Sequence, residues 1–162
     1  FTWIGGEDKP SLVLGNGRPF FVKLQNPHKR KLRLTSKNFN SLKINNLKIV
    51  SDSPKKPLKF TSSIKMRIST ESVIEIKNLK KLKDLTNSPV VVYDVSGKRS
   101  EKIISSVKYK KTTQNEFSLF LKADGGLPIK RFVNGDNVSP GVSSIIDNSC
   151  KCLEFDFLDI YV

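Results

Sequence analysis

The feature that most constrains this chain is a repeat of two. In "KFTSSIKMRIS" (Lys59 to Ser69), Phe60, Ser62, Ile64, Met66 and Ile68 fall on one side, and "NEFSLFLKAD" alternates at Phe117, Leu119 and Leu121. The terminal "KCLEFDFLDIYV" sets Leu153, Phe155 and Phe157 on an apolar face. Successive side chains of a strand point to opposite faces, so each segment is expected to be a strand with one buried side. "VVVYDV" and "SEKIISSVKYKK" flank "SGKR" and read as a hairpin with a glycine turn. "RPFFVKLQ" (Arg18 to Gln25), entered through "GNG" and closed by "NP", is also β-like, as is "NLKIV".

Helical spacing is scarcer. "TSKNFNSLKI" (Thr35 to Ile44) has a Thr/Ser cap and predicts a short helix, while "SDSPKKP" (Ser51 to Pro57) reads as a surface loop. "TESVIEIKNLKKLKDL" starts at Thr70 like a capped helix and repeats Ile76, Leu79, Leu82 and Leu85 at helical intervals; the alternative for its opening is a continuation of the strand. "GLPIKRFVNG" and "VSSIID" predict two more short helices, the first with glycine at its stop. Strands and helices do not alternate as in a doubly wound fold. The expectation is α+β, with a mixed, mainly antiparallel sheet and the helices chiefly on one face. At 162 residues, with no internal repeat or long linker, residues 1–162 are read as a single domain.

Charge narrows the partners. Twenty-nine Lys and Arg against fifteen Asp and Glu give a net charge of +14. Between Lys9 and Val50 there is no carboxylate, and "HKRKLR" (His28 to Arg33) concentrates Lys29, Arg30, Lys31 and Arg33. A polyanion is the expected partner; nucleic acid is favoured over an anionic membrane because no basic amphipathic helix with a bulky apolar face is evident. A generally lysine-rich surface is the plain alternative. No apolar run reaches the ~20 residues that span a bilayer and no signal-like segment is recognisable, which points to a cytoplasmic location.

The chemistry on offer is sparse. His28 is the only histidine, which removes Ser-His and Cys-His catalysis within the chain. Cys150 and Cys152 are too few for a structural zinc site, and on a strand they share a face, so free thiols and no bound metal are expected. Walker, dinucleotide, HExxH and CxxC patterns are missing, and "GNG" reads as a turn. What stands out is an isolated acidic pair: Glu7 and Asp8 are the only carboxylates before Asp52.

Three stretches, in order, carry a resemblance. "GGEDKPSLVLGNGRPFFVKLQNPHKR", "LKFTSSIKM" and "GGLPIKRFVNGDNVSPGVSSII" resemble the catalytic domain of the Pus-ten family of tRNA pseudouridine synthases, most specifically in "LGNGRPF" and "IKRFVNGD". The resemblance runs from Gly5 almost to the C-terminus. It implies a pseudouridine synthase-like fold, of which this chain is the C-terminal portion of the catalytic domain and incomplete at the N-terminus. It also implies isomerisation of T-arm uridines in tRNA, no cofactor, and an upstream RNA-binding domain missing from this chain. The alternative is a non-catalytic RNA-binding module or fragment with the same fold.

Residue by residue, the family's glycine, arginine, glutamate, aspartate segment stands here as Gly5, Gly6, Glu7 and Asp8. The resemblance therefore makes Asp8 the catalytic aspartate. Phe60 falls where the family has a tyrosine, Lys130 matches its basic position, and Arg18 lies in the first motif. Phe60 and Lys130 are the implied substrate contacts, Arg18 is expected with them near the flipped base, and the basic cluster Lys29, Arg30, Lys31 and Arg33 is, from its charge, the expected RNA contact. Gly6 in place of the family's arginine, and Pro10 and Leu12 in place of a further aspartate and arginine, are departures. Without the resemblance, Asp8 would be a solvated loop cap, Phe60 core packing and Lys130 one more surface lysine.

Overall fold

Ten strands and three short α-helices are present in the described part of the computed structural model, which covers residues 1–6, 9–29, 33–40, 42–50 and 58–162. Six strands make one sheet in the order β10-β5-β8-β7-β6-β9, using β5 (Thr61–Thr70), β6 (Pro89–Tyr93), β7 (Arg99–Lys111), β8 (Glu116–Asp124), β9 (Val138–Ser139) and β10 (Cys150–Tyr161). Every strand pairing in it is antiparallel, and the parallel component is limited to the single bridges Val13–Phe157 and Thr86–Ile104. The expected α+β class is therefore met.

The period of two sets the core. Ile64, Met66 and Ile68 of β5 and Phe117, Leu119 and Leu121 of β8 are buried against α2 (Ile129–Asn134), α3 (Val142–Ile146) and the helical stretch Ile76–Leu85. The alternate residues Lys65, Arg67 and Lys122 are exposed on the opposite face. Helices cover one face because only one face is apolar. Gly135 ends α2 in the left-handed conformation, φ +85°, as the sequence predicts.

The long helix expected from Thr70 is a strand end followed by two short pieces. β5 runs through Thr70, α1 covers Ile76–Lys80, and a 3-10 helix covers Lys81–Leu85. Leu79, Leu82 and Leu85 are buried at intervals of three, and this spacing matches the three residues per turn of the tighter helix. Thr70 is held in the strand because its hydroxyl donates to the carbonyls of Ser72 (2.7 Å) and Asn115 (3.2 Å) instead of capping.

Four other expectations need correction. Thr35 to Ile44 is not a helix but a hairpin, β3 (Lys37–Phe39) and β4 (Leu42–Ile44), turned at Asn40 with φ +48°. Asparagine tolerates that left-handed position and resists the helix interior. "NLKIV" forms no strand, and Ile49 and Val50 are exposed. Of Arg18 to Gln25 only Phe20–Phe21 (β2) is a strand, pairing with β1 (Thr2–Trp3). Leu153 is exposed because a bulge between Cys152 and Glu154 shifts the alternation of β10, returning Phe155 and Phe157 to the core. The loop expected at Ser51 to Pro57 lies outside the described residues.

Cys150 and Cys152 are both buried and unbridged, on the shared face expected of a strand pair one residue apart. Burial pushes the Cys150 thiol up to about 11 from 9.0, against an opposing hydrogen bond from Ser143. At pH 8 this leaves about 100-fold less thiolate than an ordinary cysteine carries. Native protein is thus expected to leave Cys150 unalkylated by iodoacetamide over a period that fully labels the urea-unfolded chain, read by mass spectrometry.

Candidate active site

The N-terminal segment is docked along β10. Leu14 N–H donates to Phe157 O (2.8 Å), Phe157 N–H to Leu12 O (2.9 Å), and Leu12 N–H to the Asp156 carboxylate (2.9 Å). Gly15 makes the close approach: a Cβ there would sit 2.6 Å from Leu158 O, and its φ of +61° is left-handed. "GNG" is thus a turn, as its composition suggests. Gly15→Ala is expected to destabilise this docking by about 2 kcal/mol, from left-handed backbone strain and the clash together. Faster amide exchange at Leu14 and Phe157 measures it.

This docking carries the first motif to one end of the sheet. Ile4 is buried in the core, its N–H donating to Pro19 O (3.1 Å), and a Cβ on Gly5 would stand 3.2 Å from Ile160 Cδ1. Ile160 pairs with Ser62 and Tyr161 with Thr61, so the first motif reaches the start of β5. Arg18 fixes the backbone here: its Nε donates to Ile4 O (3.1 Å), a terminal nitrogen donates to Gly5 O, and the guanidinium sits 5.4 Å from the Trp3 ring centre.

Phe60 directly precedes β5 at this same end. It is partly exposed, and its ring lies on Gly125: a Cβ on that glycine would fall 2.3 Å from Phe60 Cζ. Gly125 N–H donates to Phe60 O (2.7 Å), and Lys102 Nζ donates to Gly125 O (2.7 Å). Gly125 and Gly126 form the turn from β8 towards α2, whose first turn carries the exposed Lys130. The structure thus gathers the Gly5 backbone, Arg18 and Phe60 with the "GGLPIK" turn at one end of the sheet.

Asp8, together with Glu7, lies outside the described residues, as do Arg30 and Lys31. Lys29 and Arg33 are exposed on the irregular stretch between β2 and β3, in no strand or helix. Among the described residues no group of three or more His, Cys, Asp or Glu is placed to hold a metal ion, and no helix is long and apolar enough to cross a membrane. Two residues at this end of the sheet are not evident from sequence alone as members of a site. Gly125 is signalled only by the doublet in "GGLPIK", since a paired glycine before a helix often marks a close approach. Lys102 has no sequence signal, because its role depends on the register of β7 against β8.

Comparison with known proteins gives the family. Residues 1–161 match the family described as "Pus10, C-terminal". Over its full length the chain is 67% identical to 42% of the tRNA pseudouridine synthase Pus10 of Nitrosopumilus maritimus (strain SCM1). It is 37% identical to 40% of the same-named protein of Cenarchaeum symbiosum (strain A), again over the whole chain. It therefore spans about two fifths of these curated relatives. One chain of a crystal structure of a Cbf5-Nop10-Gar1 complex superimposes with a TM-score of 0.51 at 6% identity, covering 60% of this chain and 29% of that one. At that identity the likeness is one of fold.

Proposed function

The chain belongs to the Pus10 C-terminal family, and on that footing we propose that the protein carrying it converts a T-arm uridine of tRNA to pseudouridine in the cytoplasm, with Asp8 as the catalytic carboxylate. Residues 1–162 act as the C-terminal portion of a synthase domain, with an upstream domain sharing the RNA. The isomerisation breaks the N-glycosidic bond, turns the uracil and rejoins it to ribose through carbon. Nothing is oxidised or reduced and no atom is lost, so the reaction requires no cofactor. One ionised carboxylate serves as nucleophile or base, and the rest is positioning.

The other residues named from sequence have matching roles in this reading. Phe60, backed by Gly125, offers a supported ring on which an extruded uracil stacks. Lys130 supplies the basic position of the third motif, in the first turn of the helix that follows the Phe60 seat. Arg18, bonded to the carbonyls of Ile4 and Gly5, sets the backbone that leads into Asp8. Lys29, Arg30, Lys31 and Arg33 contact phosphates at a distance from the base. The observation that supports the proposal is the gathering of three motifs, far apart in sequence, at one end of the sheet.

The test is to incubate the full-length protein with a tRNA transcript and map pseudouridine by mass spectrometry of nuclease fragments. Conversion of one T-arm uridine is the expected result. Two observations favour a second reading, a non-catalytic RNA-binding module: Gly6 replaces the arginine of the family motif and Phe60 lacks the tyrosine hydroxyl. Tight tRNA binding with no pseudouridine formed would establish that reading instead.

A further inference from the structure

The six-stranded sheet has a second face that helices leave open, and its chemistry can be read row by row from the register. One row across β10, β5, β8 and β7 is Asp156, Lys65, Phe120 and Lys108. The next is Glu154, Arg67, Ser118 and Lys110, and on the other side comes Asp159, Ser63, Lys122 and Ser106. Directly opposed side chains on such a face stand about 5 Å apart at Cβ. Phe120 is therefore bracketed by Lys65 and Lys108 across the strands, and by Lys122 two residues along its own strand.

The charges on this face are not balanced against one another. Arg67 is tied to Glu154 (3.0 Å) and Glu116 (3.7 Å), and the Lys122 ammonium lies 4.6 Å from the centre of the Tyr161 ring. Lys65, Lys108 and Lys110, all exposed, have no carboxylate within ion-pair distance among the described residues. Glu154, Asp156 and Asp159 lie on β10 at the edge, and the two carboxylates of β8 are at its ends, Glu116 beside Arg67 and Asp124 accepting from Ile103 N–H, while the lysines surround the partly exposed Phe120. Phe60 shares the parity of Ser62 and Ile64, which face the helices, so this patch is on the opposite side of the sheet from the gathered motifs.

A ring between Lys65 and Lys108, with Lys110 one row away, suits one class of partner. A nucleic-acid strand supplies both phosphates for the lysines and a flat π-face for the ring, the combination that single-strand binders use on sheets. We propose that the open face of β5, β8 and β7 is a second RNA-binding surface, with a base against Phe120 and phosphates on Lys65, Lys108 and Lys110. The inference rests on the reading that this protein acts on RNA, and adds to it a surface remote from the reacting uridine. An RNA held on both faces wraps the edge of the sheet, so the surface selects for the extent and shape of the RNA.

The test uses full-length protein with a tRNA transcript, measuring affinity across a salt series. Lys65→Gln, Lys108→Gln and Lys110→Gln together are expected to weaken binding about tenfold or more and to lower the slope of log affinity against log salt by about 2, at ~0.7 for each phosphate no longer neutralised. Phe120→Leu keeps an apolar side chain and is expected to weaken binding several-fold with an unchanged melting temperature. Parental affinity and salt slope in both folded variants overturn the proposal and leave the synthase reading intact. A parental protein that fails to retain tRNA at all overturns both. A dimer in sedimentation that the triple variant dissolves assigns the face to a second copy of the chain, and likewise overturns it.

Discussion

Asp8→Asn is expected to abolish pseudouridine formation, by about ten-thousandfold or more, while the full-length protein keeps its affinity for tRNA. The substitution retains the size and planarity of the side chain and removes its charge. In the proposed reaction no other group takes over that charge: the chain has one histidine, and Glu7 is the only other carboxylate before Asp52. The backbone leading into the motif is tied down independently, through the Arg18 bonds to Ile4 and Gly5 and the burial of Ile4. Binding is therefore preserved while turnover disappears. Single-turnover conversion of a tRNA transcript, together with filter binding, reads both quantities. Appreciable turnover in the Asn variant removes Asp8 from the chemistry.

Gly125→Ala should be the single-methyl change at the gathered motifs that costs turnover most. The added carbon would stand 2.3 to 2.5 Å from three atoms of the Phe60 ring, so the ring must leave its seat. Backbone strain does not enter, because Gly125 is outside the left-handed region. Phe60 is only partly buried, and the expected loss of stability is about 1 kcal/mol. Catalysis should fall about 100-fold, since displacement by an ångström suffices for that when positioning dominates. Phe60→Ala should cost a similar factor, and the double variant no more than either alone, because both changes remove the same stacking surface. Additive effects would show that Gly125 acts through something other than the ring.

The antiparallel sheet was legible because Ile64, Met66 and Ile68 and then Phe117, Leu119 and Leu121 alternate without interruption, and that pattern permits one buried face only. Where alternation is short or the apolar residues end up exposed, as at Phe39, Ile49 and Val50, local pattern carried no information about partners, and the helix and strand expected there did not form. Leu153 misled for a different reason: a bulge is a property of the pairing with β5, and the β10 sequence alone does not reveal it. At the site, Phe60 and the "GGLPIK" turn were visible as motifs. Their meeting was not, since it depends on Thr61 pairing with Asp124 across the sheet.

The seat of the N-terminal motif also fixes the order in which this part of the protein can be completed. Leu12 bonds to Asp156 across a separation of 144 residues, and Leu14 and Gly15 rest on Phe157 and Leu158. A nascent chain therefore holds its first motif unseated throughout the synthesis of every intervening strand. Contacts this distant close late, after the local hairpin of β6 and β7 and the pairing of β7 with β8. Seating of Leu12 to Gly15 thus requires β10, and a protein in which that seat is made has already formed its last strand.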